Sequence, residues 1–345
     1  MYKALYIGCM KVGLSTIAER TGADVGTVSR VLRGLGRKYR IGAERCERIE
    51  RAALELGYRP NFYARAQASG RFQAVGLLLY EPANAWLPPS LLSAIQRALR
   101  ERDMVLHVCE VPADRPAAEE VPQVLTHAMV DGLLVMSRAV AFAPAILDAI
   151  RRAAVPALWV SADETSPGVR VANERAAGAA VEYLLGLGHR RIEMVGFRPG
   201  GDGSIRTSGY TAAMQAAGQV PYIIHAAAGQ STADAVEARL AAADRPTALL
   251  CHSVALSSHV LLAASRQRLA VPADLSLMQM GPAGGTNTAS APLTGMYLDE
   301  DARGRLAVKL LLEAIESPEA PPPSRTLELA FTEAGTCAPP PGGGA

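Results

Sequence analysis

The sequence predicts an all-α helix-turn-helix headpiece followed by a bilobed α/β body built on two doubly wound parallel sheets. Three observations predict it. Residues 15–57 carry short apolar repeats of helical period separated by glycine turns. From Ala74 onward, short apolar runs alternate with amphipathic segments, the rhythm of strand-helix-strand units. Basic charge is gathered at one end: residues 11–71 hold 13 Lys plus Arg against 6 Asp plus Glu, a net of +7. The whole chain is +2 and Lys3 adds +1, so residues 72–345 carry −6. A small basic module on a mildly acidic body is the footprint of phosphate binding, because the body repels the polyanion that the module attracts.

In the headpiece, Ser15 is expected to cap a first helix, Thr21-Gly22-Ala23 to turn the chain, and Asp24 to cap a second helix. Val28, Val31 and Leu32 then share one apolar face, leaving Val25, Gly26, Ser29, Arg30 and Arg33 to point away from it. That outward face is what a major groove would meet. A third helix within residues 41–57 places Cys46, Ile49, Ala52, Ala53 and Leu56 at helical spacing, which closes a three-helix core. The intervening loop carries Gly34, Gly36, Arg37, Lys38 and Arg40, a composition suited to gripping phosphate oxygens. Pro60 ends this module, and Asn61 caps a further short helix whose Ala64 and Ala68 share a face, as in a pair of closely apposed hinge helices or a simple linker.

In the body, strands are expected at Val75–Leu79, Val105–Val108, Gly132–Met136, Ala157–Val160, Ile192–Val195, Tyr222–His225 and Ala248–Cys251, the first four read as buried parallel strands. Helices are expected at Leu91–Glu101, Val121–Met129, Pro144–Ala153, Ala176–Leu187, Thr211–Ala217 and Ala233–Ala243, with one more closing the segment Leu293–Ile315. Ligands of such folds sit at the carboxyl ends of the strands, between the lobes. The boundaries that follow are a DNA-binding module at 11–58, a hinge at 59–72 and a body at 73–338. Lobe 1 takes 73–166 and 296–322, lobe 2 takes 167–295 and 323–338, and 339–345 is a tail.

Composition bounds the remaining classes. Five cysteines, at 9, 46, 109, 251 and 337, form no Cys-x-x-Cys pair and no metal-like spacing, so free thiols in a reducing compartment are expected, with no metal and no cofactor. No secretory signal and no spanning apolar run is present, which predicts a cytoplasmic protein without a membrane partner. Met10-Lys11-Val12 leads directly into the first helix, so Met1 to Cys9 fit either an upstream start or a flexible arm.

Three sets of residues carry a resemblance. They are Thr27-Val28-Ser29-Arg30-Val31-Leu32 after Gly22, Leu56-Gly57-Tyr58-Arg59-Pro60-Asn61 before Ala64, and, in the body, Gly188-His189-Arg190-Arg191-Ile192, Arg206 before Gly209-Tyr210, and Val271-Pro272-Ala273-Asp274. With these marks the chain, from about Val12 to Pro339, resembles the lactose/galactose-repressor family of transcriptional regulators. The resemblance implies a periplasmic-binding-protein-like body, a homodimer, a pseudo-palindromic double-stranded DNA operator, and a small-molecule effector of unknown class between the lobes. It places base reading on Val25, Gly26 and Arg30, and phosphate contact on Thr27 and Ser29. Arg33, Arg37, Lys38 and Arg40 add phosphate contacts, and Asn61, Ala64, Gln67 and Ala68 form the hinge over the minor groove. An Arg30 pairing bidentately with guanine discriminates by about 1–3 kcal/mol.

The departures from the family pattern are informative. Gln67 stands where an apolar residue usually wedges into the minor groove, which predicts a weaker kink or an amide bond to base edges. The loop after Leu32 is about three residues longer than the family's, which brings in additional basic groups. The effector positions read Arg206, Ser161, Asp163, Ser253 and Gln279, with few of the acids and amides that sugar hydroxyls require. An anionic or more apolar ligand facing Arg206, or none, fits these residues as well as a sugar does. If none binds, the body serves as a dimerisation or protein-partner module. A solute-binding protein is the remote alternative. An enzyme is not expected: Pro199-Gly200-Gly201-Asp202-Gly203-Ser204 lacks the Lys-Ser/Thr of a phosphate loop, and reads as a flexible cleft loop.

Overall fold

The computed structural model describes residues 12–58, 70–80, 87–111, 121–136, 144–161, 166–196, 203–226, 229–282 and 292–341. The chain divides into two compact units, 1–72 and 73–345.

The first unit is three helices, α1 (Leu14–Thr21), α2 (Val25–Leu32) and α3 (Ala43–Glu55). Ile17, Ala18, Ala23, Val28, Val31, Ile49, Ala52 and Ala53 form its buried core, with Leu32, Cys46 and Leu56 packed against it. Gly22 ends α1 in the left-handed conformation at φ 66°, which a side chain would resist. Ser15 does not cap α1. The helix starts at Leu14 after Gly13 with no side-chain cap, so Ser15 falls inside the first turn.

The second unit holds two six-stranded sheets. The first has the order β11-β5-β4-β3-β1-β2, with β1 at Ala74–Tyr80, β2 at Val105–Val111, β3 at Gly132–Met136, β4 at Ala157–Trp159, β5 at Gly168–Val171 and β11 at Ser324–Leu327. The second has the order β12-β10-β9-β8-β6-β7, with β6 at Ile192–Val195, β7 at Ile223–Ile224, β8 at Ala248–Cys251, β9 at Ser276–Pro282, β10 at Thr294–Leu298 and β12 at Ala330–Thr332. Pairing is parallel throughout except for β12, which runs antiparallel to β10. The helices between them are α4 (Pro89–Arg100), α5 (Gln123–Thr126), α6 (Pro144–Arg152), α7 (Asn173–Gly186), α8 (Gly203–Ala216), α9 (Thr232–Leu240), α10 (Val254–Arg266) and α11 (Glu300–Glu316).

Alternation along the second sheet sends side chains into two separate cores. Ile192, Met194, Leu250 and Met278 pack under α7 and α8, while Val195, Leu249, Cys251 and Leu277 pack under α9 and α10. A sheet covered on both faces is what makes its strands read as continuous apolar runs. The first sheet is covered by α4 and α11, through Leu91, Ile95, Val308 and Leu311.

Several expectations are corrected. Strand pairing places β5 and β11 in the first sheet and all of β10 in the second, so residues 168–171 and 324–327 belong to lobe 1 and 296–298 to lobe 2. The chain crosses between lobes just after these strands, and apolar period does not tell which sheet a strand joins. Strand β2 is not buried: it is the edge of its sheet, with Val105 46% and Val108 47% exposed. The helix expected over Val121–Met129 shrinks to α5, because His127 is extended. Helix α8 begins at Gly203 instead of Thr211, so the end of the glycine-rich stretch is helical. Its Gly209 is a packing residue, since a Cβ there would lie 2.1 Å from the Glu174 carbonyl oxygen on α7. Among the described residues no helix is long and apolar enough to cross a membrane, and no cluster of three metal-ligating side chains occurs.

Candidate nucleic-acid interface and ligand cleft

Helix α2 is set by its cap. The Asp24 carboxylate accepts from the Thr27 backbone N–H at 2.8 Å and from the Thr27 hydroxyl at 2.6 Å. The side-chain bond from Thr27, then its backbone bond, hold the Asp24 pKa below the ordinary value. Thr27, expected at a phosphate, is half-buried and gives its hydroxyl proton to this cap. Val25, Gly26, Arg30 and Arg33 are exposed, and Ser29 is half-exposed, so one face of α2 is presented to solvent as an uninterrupted strip.

The loop after α2 is a built turn. Leu35 N–H donates to Arg30 O at 2.9 Å, Tyr39 N–H to Leu35 O at 3.1 Å and Ile41 N–H to Gly36 O at 2.9 Å. Gly36 faces Cys46 on α3, where a Cβ would come within 2.8 Å of the sulfur. Arg37, Lys38 and Arg40 are all exposed on this turn. Sequence reasoning assigned nothing to Tyr39, yet its ring lies under the Arg30 guanidinium, with the central carbon 4.7 Å from the ring centroid. The contact joins residues nine apart in different elements, and no periodicity signals it. Asn61, Ala64, Gln67 and Ala68 lie outside the described residues, as does Asp163.

In the second unit, polar groups gather at the carboxyl end of the second sheet. Arg206 on α8 donates through Nε to the Asn173 side-chain oxygen at 2.7 Å and through Nη1 to the His252 carbonyl. His252 and Ser253 follow β8 directly, and Ser253 precedes α10 without capping it through its side chain. The buried Ser253 hydroxyl oxygen makes no hydrogen bond among the described residues. Asn173, missed from the sequence, is the first residue of α7, and so resembled an ordinary helix start.

Two other expected effector residues are committed to protein partners. Gln279 is buried in the middle of β9: its oxygen accepts from the Ser257 hydroxyl at 2.7 Å, and its amide donates to the Tyr297 hydroxyl at 2.7 Å. Ser161, at the end of β4, accepts from Arg303. The same buried guanidinium donates to Val160 O at 2.9 Å and to the Glu300 carboxylate at 3.0 Å.

His189 is 1% exposed and forms a junction. Its Nε2 lies 2.9 Å from the Ala338 carbonyl and its Nδ1 lies 2.9 Å from the Thr247 hydroxyl. A carbonyl only accepts, so Nε2 carries the proton and Nδ1 accepts. Burial holds the His189 pKa below its ordinary value. Two thiols are held protonated: burial pushes Cys251 up to about 12 and Cys337 up to about 11.

Residues 181–337 match the periplasmic binding protein-like domain family. The chain is 26% identical over 314 residues to the ribose operon repressor of Escherichia coli (strain K12), covering 88% of this chain and 93% of that protein. Over most of its length the chain is thus similar to repressors of the lactose/galactose-repressor kind. Another relative is the HTH-type transcriptional repressor PurR of Pectobacterium carotovorum, 25% identical over 315 residues, with 88% of this chain and 90% of that one covered. Among solved structures, the lac repressor dimer bound to operator and the anti-inducer ONPF superimposes with a TM-score of 0.80 at 21% identity, over 95% of this chain and 99% of that one. The two-sheet body and the three-helix headpiece are thus the fold seen in that repressor.

Proposed function

We propose that this chain is a sequence-specific, DNA-binding transcriptional regulator of the cytoplasm, acting as a homodimer on a pseudo-palindromic operator. The observation that carries the reading is the exposed strip of α2, running from Val25 to Arg33, beside a rigid basic turn. Arg30 and Val25 read base edges, Ser29, Arg33, Arg37, Lys38 and Arg40 hold phosphates, and residues 59–72 form the hinge. The relatives support it, being repressors by name, and the lac repressor is seen as a dimer on its operator. The reading gives the chain no catalytic step.

The test is selection from random duplex DNA with the full-length protein at near-physiological salt. Recovery of two inverted half-sites supports a symmetric dimer. Absence of DNA binding overturns the reading.

We further propose that a small molecule bound at the carboxyl ends of the strands controls this activity, facing Arg206, Asn173 and Ser253. The commitment of Gln279 and Ser161 to protein partners favours an anionic or compact ligand over one with many hydroxyls, because few polar groups among the described residues are left to pair with hydroxyls. A thermal-shift panel of sugars, carboxylates, phosphates and nucleobases tests this, since a ligand preferring the native state raises the melting temperature. A response to sugars alone would overturn the ligand class. No response at all would favour a body that serves only for dimerisation or for a protein partner.

A further inference from the structure

We propose that Tyr39 is a specificity-determining residue of the DNA interface, holding the Arg30 guanidinium in the plane in which it reads a base. The inference rests on the reading of α2 as the groove-reading helix. It starts from a property of arginine: the guanidinium is a flat fork, and bidentate pairing with a guanine requires the fork to lie close to the plane of the base pair. An arginine on an exposed helix face samples many rotamers, and most of them aim the fork elsewhere.

Tyr39 restricts that freedom without using up the fork. The Arg30 guanidinium carbon sits 4.7 Å from the centre of the Tyr39 ring, a cation–π distance. A cation–π contact uses no N–H donor, and among the described residues no hydrogen bond takes one from the Arg30 guanidinium, so its N–H edges stay available for acceptors. The ring is itself well placed to act as a stop. Tyr39 N–H is bonded to Leu35 O at 3.1 Å, Leu35 N–H is bonded back to Arg30 O at 2.9 Å, and Ile41 N–H closes onto Gly36 O at 2.9 Å. Gly36 in turn presses on Cys46 of α3, so the turn is anchored on the headpiece core. Tyr39 remains 49% exposed, so its ring is not a core residue whose loss would collapse the fold. The longer loop therefore supplies more than added basic charge. It brings an aromatic platform beside the base-reading arginine.

The experiment uses full-length protein on the operator recovered by selection and on a panel with each half-site position changed in turn. Binding is measured by fluorescence anisotropy, together with binding to unrelated duplex and the salt dependence of both. Arg30→Ala identifies the position that Arg30 reads, as the one whose preference collapses. Tyr39→Ala is expected to reduce preference at that same position by about two- to fivefold, the effect of losing one exposed cation–π contact. Preferences elsewhere, binding to unrelated duplex and the salt slope are expected to stay unchanged. Tyr39→Phe, which keeps the ring, is expected to behave as the wild type. An equal loss of specific and non-specific binding in Tyr39→Ala would overturn the inference, assigning Tyr39 to phosphate contact or folding. Unchanged preference, or tighter specific binding because the ring had been masking Arg30, would also overturn it. If instead Arg30→Ala leaves every preference intact, the groove-reading role of α2 itself fails.

Discussion

Arg206 of α8 ties the side chain of Asn173, the first residue of α7, to the carbonyl of His252 at the end of β8. One guanidinium thus joins three separate elements at the carboxyl end of the second sheet. Asn173 also follows directly on the crossing from β5, so this bond sits where the chain passes from lobe to lobe.

Replacing that arginine is expected to separate ligand response from DNA binding. Arg206→Ala should lower stability by about 1–3 kcal/mol, the cost of leaving its acceptors unpaired. It should also abolish the melting-temperature increase given by any active ligand, while ligand-free operator affinity changes little. Parallel thermal-shift and anisotropy measurements check this.

Glu193 is carried by alternation onto the face of the second sheet that α9 covers, where Arg239 grips it through Nε at 2.9 and 3.1 Å and through Nη2 at 2.6 Å. Burial pushes the Glu193 pKa up, and the bonds from Arg239 oppose the rise. Arg239→Ala leaves a buried carboxylate without its partner and is expected to cost about 3–5 kcal/mol in urea unfolding. Adding Glu193→Leu to that variant should recover much of the loss.

Acid should weaken the body through His189. Its folded pKa lies below the unfolded value of about 6.5, because burial disfavours the charged form. Its contribution is therefore full above about pH 6.5 and is lost as pH falls below that, where the unfolded chain binds a proton that the folded chain resists. Urea midpoints measured from about pH 5 to 8 should show this slope, and His189→Gln should flatten it.

In the headpiece the lowered pKa of Asp24 gives the α2 cap a stability contribution present above about pH 3.8 and lost as pH falls through the lowered value. Asp24→Ala should fray the start of α2 and weaken operator binding severalfold. Asp24→Asn, which keeps an accepting oxygen, should preserve most of it. Helical circular dichroism with anisotropy distinguishes the two.

In the hinge, Gln67→Leu is expected to tighten operator binding severalfold, because an apolar side chain unstacks a base step more readily than an amide does. Unchanged or weaker binding in an anisotropy titration would count against the wedge argument.

What could be read in advance follows from the range of the interactions involved. The cap at Asp24, the turn at Gly22 and the apolar stripe Val28-Val31-Leu32 are written within a few residues of each other, and each stands in the structure as expected. The central strands β3, β6 and β8 match their expected bounds, because burial on both faces leaves a nearly continuous apolar run, broken in β6 by Glu193 alone. Edge strand β2, short strand β5 and helix α10 were misjudged or missed. The first is half-exposed, the second has four residues, and the third lacks a strong polar face. At the candidate sites, Arg30 and Arg206 were legible as residue types in a pattern. Their partners Tyr39 and Asn173 were not, since each contact arises only when separate elements meet. Gln279 shows the opposite error: a polar residue expected to face a ligand is satisfied inside the sheet by Ser257 and Tyr297.

The bond between His189 and Ala338 sets an order for the making of the molecule. Among the described residues, every core contact of the headpiece lies within residues 12–58, so that unit can condense as soon as this stretch has left the ribosome. The second lobe depends on residue 189 meeting residue 338, and the first sheet waits for β11. During synthesis the nascent chain therefore carries a finished three-helix end while its body is still open. The body proposed to hold two copies together and to sense a ligand is thus completed after the helices proposed to touch DNA.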